Sequence, residues 1–181
     1  MAEKCAPLLD WFRANGGSLN SAVSFQFDTE NGYHFIAREN MEKGSNACIC
    51  PFPLSLSHLN VLPSPPAGIP SYNQSSICSH LLGHLDHDVV AQFFLAEQRL
   101  KGTESFWHPY IDALPTEDEF TTPLYFKPSD LVWLYGTQMY NKNISSERTA
   151  VGLRTAEWKK DWNRGIETLK AKKIDVKKFT W

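Results

Sequence analysis

The chain has 181 residues, 42% hydrophobic and 21% charged, which suits one domain with a sizeable core and excludes general disorder. A formal net charge of -2 supplies no global attraction to nucleic acid or to an acidic membrane surface. Glu3, Lys4 and Asp10 interrupt any apolar signal-peptide core behind Met1, and no run approaches the ~18 apolar residues of a membrane helix. The expected setting is therefore intracellular, cytoplasmic or nuclear, with Cys5, Cys48, Cys50 and Cys78 reduced.

In chain order, "APLLDWFRANGG" predicts a helix with Leu8, Leu9, Trp11 and Phe12 on one face and Gly16 just past its end. "AVSFQFD" alternates, with Val23, Phe25 and Phe27 pointing one way and Ser24 and Gln26 the other, the pattern of a half-buried strand. An Asn31-Gly32 turn signal precedes a short apolar strand at Phe35 to Ala37. "NACICPFPLSLS" predicts a further strand, limited by Pro51 and Pro53, on which Cys48 and Cys50 share a face. The first sixty or so residues thus predict an antiparallel β unit.

The Pro- and Ser-rich "LPSPPAGIPSYNQSS" has no periodicity and predicts a surface loop. From Cys78 to Leu100 the spacing of Leu81, Leu85, Val89, Phe93 and Ala96 predicts one continuous helix. "SFWHPYIDALP" then crowds Phe106, Trp107 and Tyr110 between prolines. Such aromatics either anchor an irregular segment on a core or line a ligand site, and anchoring is the commoner use. "PSDLVWLYG" predicts a short helix opened by Pro128 or Ser129 and ending before Gly136. Val151, Trp158, Trp162, Ile166 and Leu169 stripe a long amphipathic helix, for which Ser145 or Ser146 is the expected N-cap. Strands first and helices later predict an α+β fold.

Few constellations carry chemistry. His80, His84 and His87 would stack on one side of the predicted helix, near Cys78, Asp86 and Asp88, and imidazoles are usual zinc ligands. Zinc sites, however, draw ligands from more than one element, so a solvated helix face accounts for the row and no metal is expected. Lys170, Lys172, Lys173, Lys177 and Lys178 could meet phosphates. Cations also suit a helix C-terminus, and Glu157, Asp161 and Glu167 offset them just upstream, so no nucleic-acid partner is expected. Gly-x-Ser-x-Gly, a phosphate-binding Gly-rich loop, His-Glu-x-x-His and Cys-x-x-Cys are all absent, and no residue is assigned a catalytic role.

The order of the segments resembles the N-terminal part of SET-domain proteins of the Rubisco large-subunit methyltransferase type. "LLDWFRANGGSLNSAVSFQFD" is similar to that family's opening helix and first strand, and "NGYHFIARENMEKGSNACICPFPLSLS" to the stretch carrying its Gly-x-Gly turn. The most specific block is "VVAQFFLAEQRLKGTESFWHPYIDALP", with its helix carrying Leu95-x-Glu97 and its Ser-x-Trp-x-x-Tyr-(x)3-Leu-Pro signature, and "SDLVWLYGTQM" follows it as in the family. The resemblance implies an intracellular protein-lysine methyltransferase using S-adenosylmethionine and acting on a lysine of a protein substrate. It implies antiparallel SET β elements in residues 1–62, a loop at 63–77 and a helical SET insert at 78–181, with Trp107 and Tyr110 packing the insert against the β region.

It further implies that backbone groups at Asn31, Gly32, Tyr33 and His34 approach the cofactor, glycine suiting such approach for want of a Cβ. The turn departs from the family pattern, since His34 takes the second glycine position and Asn31 the acidic one. The family's Asn-His pair occurs nowhere in the chain, and "KKFTW" resembles the point just before the helix leading to it. The fold is therefore expected to be incomplete at its C-terminus, binding the cofactor weakly or not at all and self-associating through uncovered Val23, Phe25 and Phe27. The alternative is a catalytically inactive fragment or protein-interaction module.

Overall fold

The computed structural model describes residues 2–127, 129–137, 139 and 150–180. Helix α1 spans Ala2–Ala14 and ends as its sequence predicts, the Gly16 N–H bonding the Arg13 carbonyl at 3.0 Å. Two small antiparallel ladders follow. Strand β1 (Ser18–Leu19) pairs with β4 (Cys48–Ile49), and β2 (Val23–Asp28) pairs with β3 (Gly32–Ala37), from Val23 opposite Ala37 to Asp28 opposite Gly32. Every residue of β2 is half-buried, so neither face of that ladder is fully covered.

The alternation in β2 and the Asn31-Gly32 turn are realised where they were expected. Strand β3 starts at Gly32, earlier than its apolar residues suggest, whereas β4 is only two residues long. Pro51 and Pro53 lie immediately beyond it, and the 3-10 turn Phe52–Leu54 replaces the rest of the predicted strand.

The helical part departs from its prediction at one point. The periodic stretch from Cys78 is two elements: a 3-10 turn over Ile77–Leu81 and helix α2 over His87–Lys101. Gly83 separates them at φ +75, a left-handed conformation that breaks an α-helix and that glycine adopts without a Cβ penalty. A clasp holds the two pieces together. The buried Glu97 carboxylate of α2 accepts hydrogen bonds from the Ser76 hydroxyl and, at 3.3 Å, from the Ile77 N–H, with the Lys101 ammonium 3.5 Å away.

Short helix α3 (His108–Asp112) orders most of the aromatic segment, and helix α4 spans Ala150–Ala171. The predicted helix in "PSDLVWLYG" is a 3-10 turn over Leu131–Leu134. Pro128, proposed to open it, and Ser145 and Ser146, proposed to cap α4, lie outside the described residues. The overall class is α+β, with four helices and two two-stranded antiparallel sheets among the described residues. No described helix is long and apolar enough to cross a membrane.

The core lies in the helical part: Val61, Leu81, Val90, Phe93, Phe94, Trp107 and Leu169 are fully or almost fully buried. Trp107 is its keystone. Its indole N–H donates to the Leu54 carbonyl at 2.9 Å, and its ring meets Phe94 edge-on and lies 5.4 Å from Tyr72. Phe106 reaches the other way, edge-on to Trp11 of α1 at 5.4 Å. Trp107 and Phe106 therefore anchor the aromatic segment to the helical core and to the N-terminal helix. Tyr110 does not share that burial: it is 39% exposed and lines a cavity.

Candidate functional site

The turn between β2 and β3 is built by Asp28. Its carboxylate accepts hydrogen bonds from the backbone N–H groups of Glu30 at 2.9 Å and Asn31 at 2.6 Å, and from the Asn31 side-chain amide. These bonds, the one from the Asn31 N–H foremost, favour the charged form and hold the Asp28 carboxyl below its ordinary pKa. The chain reverses through Gly32 at φ +65. None of the described residues lies within 4 Å of where a Cβ on Gly32 would stand, so glycine serves the backbone angle here and the outer face of the turn is open to them.

His34 folds back over this turn. Its Nδ1 is 3.0 Å from the Gly32 carbonyl and its Nε2 is 3.5 Å from an Asp28 carboxylate oxygen. Tyr33 lies on the other side of the strand among aromatics, stacked on Phe25 at 5.5 Å and edge-on to Phe27 at 4.8 Å. Burial raises its phenol pKa, with smaller contributions from the Cys5, Asp112 and Glu119 charges. The structure thus brings Asn31, Gly32 and His34 together around Asp28 and sends Tyr33 to the aromatic face. Asp28 itself was not singled out from sequence, although an Asp three residues before Asn-Gly is a signal for such a side-chain-capped turn.

On the inner side of the hairpin lies an apolar cavity of about 340 Å³, bounded by Leu8 and Phe12 of α1, Phe25 and Phe35 of the hairpin, Leu54 and Tyr110. Among the described residues no charged side chain lines it. The four cysteines are free thiols, and burial pushes the Cys48 thiol at the cavity wall upward from its ordinary pKa. The sequence offered only an indirect signal for this space, the coincidence of apolar positions on α1 and on the strands.

The structure does not bring the histidine row together. His80 lies in the 3-10 turn, His84 in the loop after it and His87 at the start of α2, where its ring stacks on His58 at 4.2 Å with 9° between planes. Burial and the facing His87 hold the His58 imidazole below its ordinary pKa, opposed by Asp88. Among the described residues no three His, Cys, Asp or Glu side chains are grouped to hold a metal ion. The lysine run closes α4. Lys173 takes a left-handed φ of 60 and the Ile174 N–H returns to the Leu169 carbonyl at 3.1 Å, a helix-ending motif beside which cations are favourable.

No protein-family profile and no solved structure matches the chain. A stretch of 73 residues, 40% of the chain, is 36% identical to the ribosomal lysine N-methyltransferase Set10 of Schizosaccharomyces pombe. The matched stretch covers 12% of that protein's length. Over it, the chain is related to a lysine methyltransferase.

Proposed function

We propose that the chain carries part of a SET-type protein-lysine N-methyltransferase that uses S-adenosylmethionine. Residues 1–62 form its β region, 63–77 a loop and 78–181 a helical insert. The observation that supports this reading is the 36% identity over 73 residues to a lysine N-methyltransferase. By extension from that relative, the substrate is a protein of the ribosome, met in the cytoplasm or nucleus.

The turn at Asn31–His34 is the proposed cofactor contact, and its geometry is compatible with that role. His34, in place of a second glycine, turns back onto Asp28 and the Gly32 carbonyl, leaving the outer face of Gly32 open to a ligand. The Asp28 carboxylate, favoured in its charged form, puts negative charge behind the turn. S-adenosylmethionine, when bound, supplies a methyl group on a positively charged sulfur. Methyl transfer further requires that methyl and the lysine amine to be held in line, which one turn does not do, so weak binding is expected of this chain alone.

The test is an amide-resolved NMR titration of the 181-residue chain with S-adenosylmethionine. Saturable shifts centred on Asn31, Gly32, Tyr33 and His34, with a dissociation constant of roughly 1 mM and displacement by S-adenosylhomocysteine, are expected. Unmoved hairpin amides at saturating cofactor, or shifts confined to another surface, would remove the turn from the reading.

A further inference from the structure

The register of the β2–β3 ladder fixes which backbone groups of β3 are satisfied. The Arg38 N–H donates to the Ala22 carbonyl at 2.7 Å, continuing the pairing that sets Val23 opposite Ala37. Hydrogen-bonded pairs alternate in an antiparallel ladder, so Ile36 and His34 bond inward to β2 while the N–H and C=O of Phe35 face away from it. Among the described residues no third strand joins this sheet. The side chains along that edge are equally uncovered: Phe35 is 55% exposed and Ile36 40%. Nor does Gly32–Ala37 contain the Lys or Pro with which edge strands are usually blunted.

We propose that β3 is a self-association edge, on which a second copy of this chain pairs antiparallel about a two-fold axis at Phe35. The occupant follows from the register. With Phe35 opposite its own counterpart, the outward-facing backbone groups of each copy meet outward-facing groups, as a hydrogen-bonded pair requires. The same register sets His34 opposite Ile36 and Gly32 opposite Arg38. The exposed Arg38 of each copy then arrives beside the other copy's turn, which carries Asp28 and the exposed Glu30. Arg38 thereby meets opposite charge at Glu30, a pair that forms twice by symmetry, while Glu39 falls opposite Asn31. The two Phe35 rings become cross-strand neighbours, which favours aromatic pairs. Because Phe35 also walls the apolar cavity, the cavities of the two copies would adjoin across the new four-stranded sheet.

Sedimentation equilibrium of the full chain across a concentration series tests this. Expected is a reversible monomer–dimer equilibrium between 20.6 kDa and twice that mass, half-associated on the order of 10–100 µM. Phe35→Lys should raise the dissociation constant at least about tenfold while thermal melting shows the chain still folded. Arg38→Glu, an exposed change that leaves folding untouched, should weaken association roughly three- to tenfold, since each exposed pair is lost twice. Adding Glu30→Arg to Arg38→Glu should restore it to within about twofold, because the charges are merely exchanged. A strict monomer at roughly 200 µM would overturn the proposal. So would association indifferent to Phe35→Lys, a failure of the charge exchange to rescue, or an open-ended aggregate in place of a dimer.

Discussion

Replacing Gly165 with alanine should destabilise the protein, against the usual direction of that substitution in a helix. In a helix interior the change is ordinarily worth about 1 kcal/mol in favour of alanine. Gly165 is buried on the inner face of α4, and an added Cβ would fall well inside contact distance of the Phe93 ring and 3.2 Å from Leu85 Cδ1. The ring has little freedom to retreat: it is buried, stacked on Trp162 at 4.6 Å and flanked by Phe179 at 6.2 Å. Overpacking of this kind costs about 1–3 kcal/mol and more where backbone must shift, so a net loss of about 1–2 kcal/mol is expected. For a chain of this size that lowers the melting temperature by roughly 2–8 °C. Differential scanning calorimetry of Gly165→Ala beside the parent measures it, and Phe93→Leu, which shortens the opposing side chain, should shrink the penalty of the alanine. A higher melting temperature for Gly165→Ala would refute the packing of α4 on α2 described above.

Two further outcomes follow from the core and from the histidine pair. Trp107→Phe removes the donor to the buried Leu54 carbonyl and part of the ring, and should cost about 2–4 kcal/mol in urea denaturation. His58 has a folded-state pKa held below its ordinary value of 6.5, so its neutral form stabilises the fold above that pH, and the contribution is lost as pH falls through the lower folded value. The melting temperature should therefore drop more for the parent than for His58→Gln between about pH 7.5 and 5.5; parallel curves would show that the stacked pair has no such influence.

Legibility of the fold followed how local each cause was. Strand β2 shows in the alternation of Val23, Phe25 and Phe27, and the turn in Asn31-Gly32, because period and turn chemistry act over a few residues. The helix predicted from Cys78 fails at Gly83 because Leu81 and Leu85 keep helical spacing while reaching the same core from opposite sides of a break. The spacing reports a shared burial, and a 3-10 turn followed by a loop satisfies it as well as a helix does. The histidine row inherited that error, since its stacking existed only on the unbroken helix. The contact that replaces it, His58 on His87, depends on tertiary approach and leaves no local trace.

Of the candidate site, the turn at Asn31–His34 was readable, whereas its organising group, Asp28, emerged only from the hydrogen bonds. The apolar cavity left only the coincidence of apolar positions on α1 and on the strands as a signal, because it is the gap left by how α1 lies against the hairpin. The Glu97 clasp was missed for a similar reason: a glutamate on an amphipathic helix is normally solvated, and only the approach of Ser76 and Ile77 explains its burial.

The bond from the Trp107 indole to the Leu54 carbonyl joins residues 53 positions apart, with Leu54 emerging first from the ribosome. At a synthesis rate of about 5–20 residues per second, that carbonyl waits roughly 3–10 s for its donor. Throughout that interval the nascent β region displays Phe25, Phe35 and Leu54 without the indole that seats Leu54 on the helical core. Chaperone capture during translation should accordingly be strongest before residue 107 emerges and should fall once it has. A rare-codon pause placed between the two residues would lengthen that exposure without altering a single amino acid.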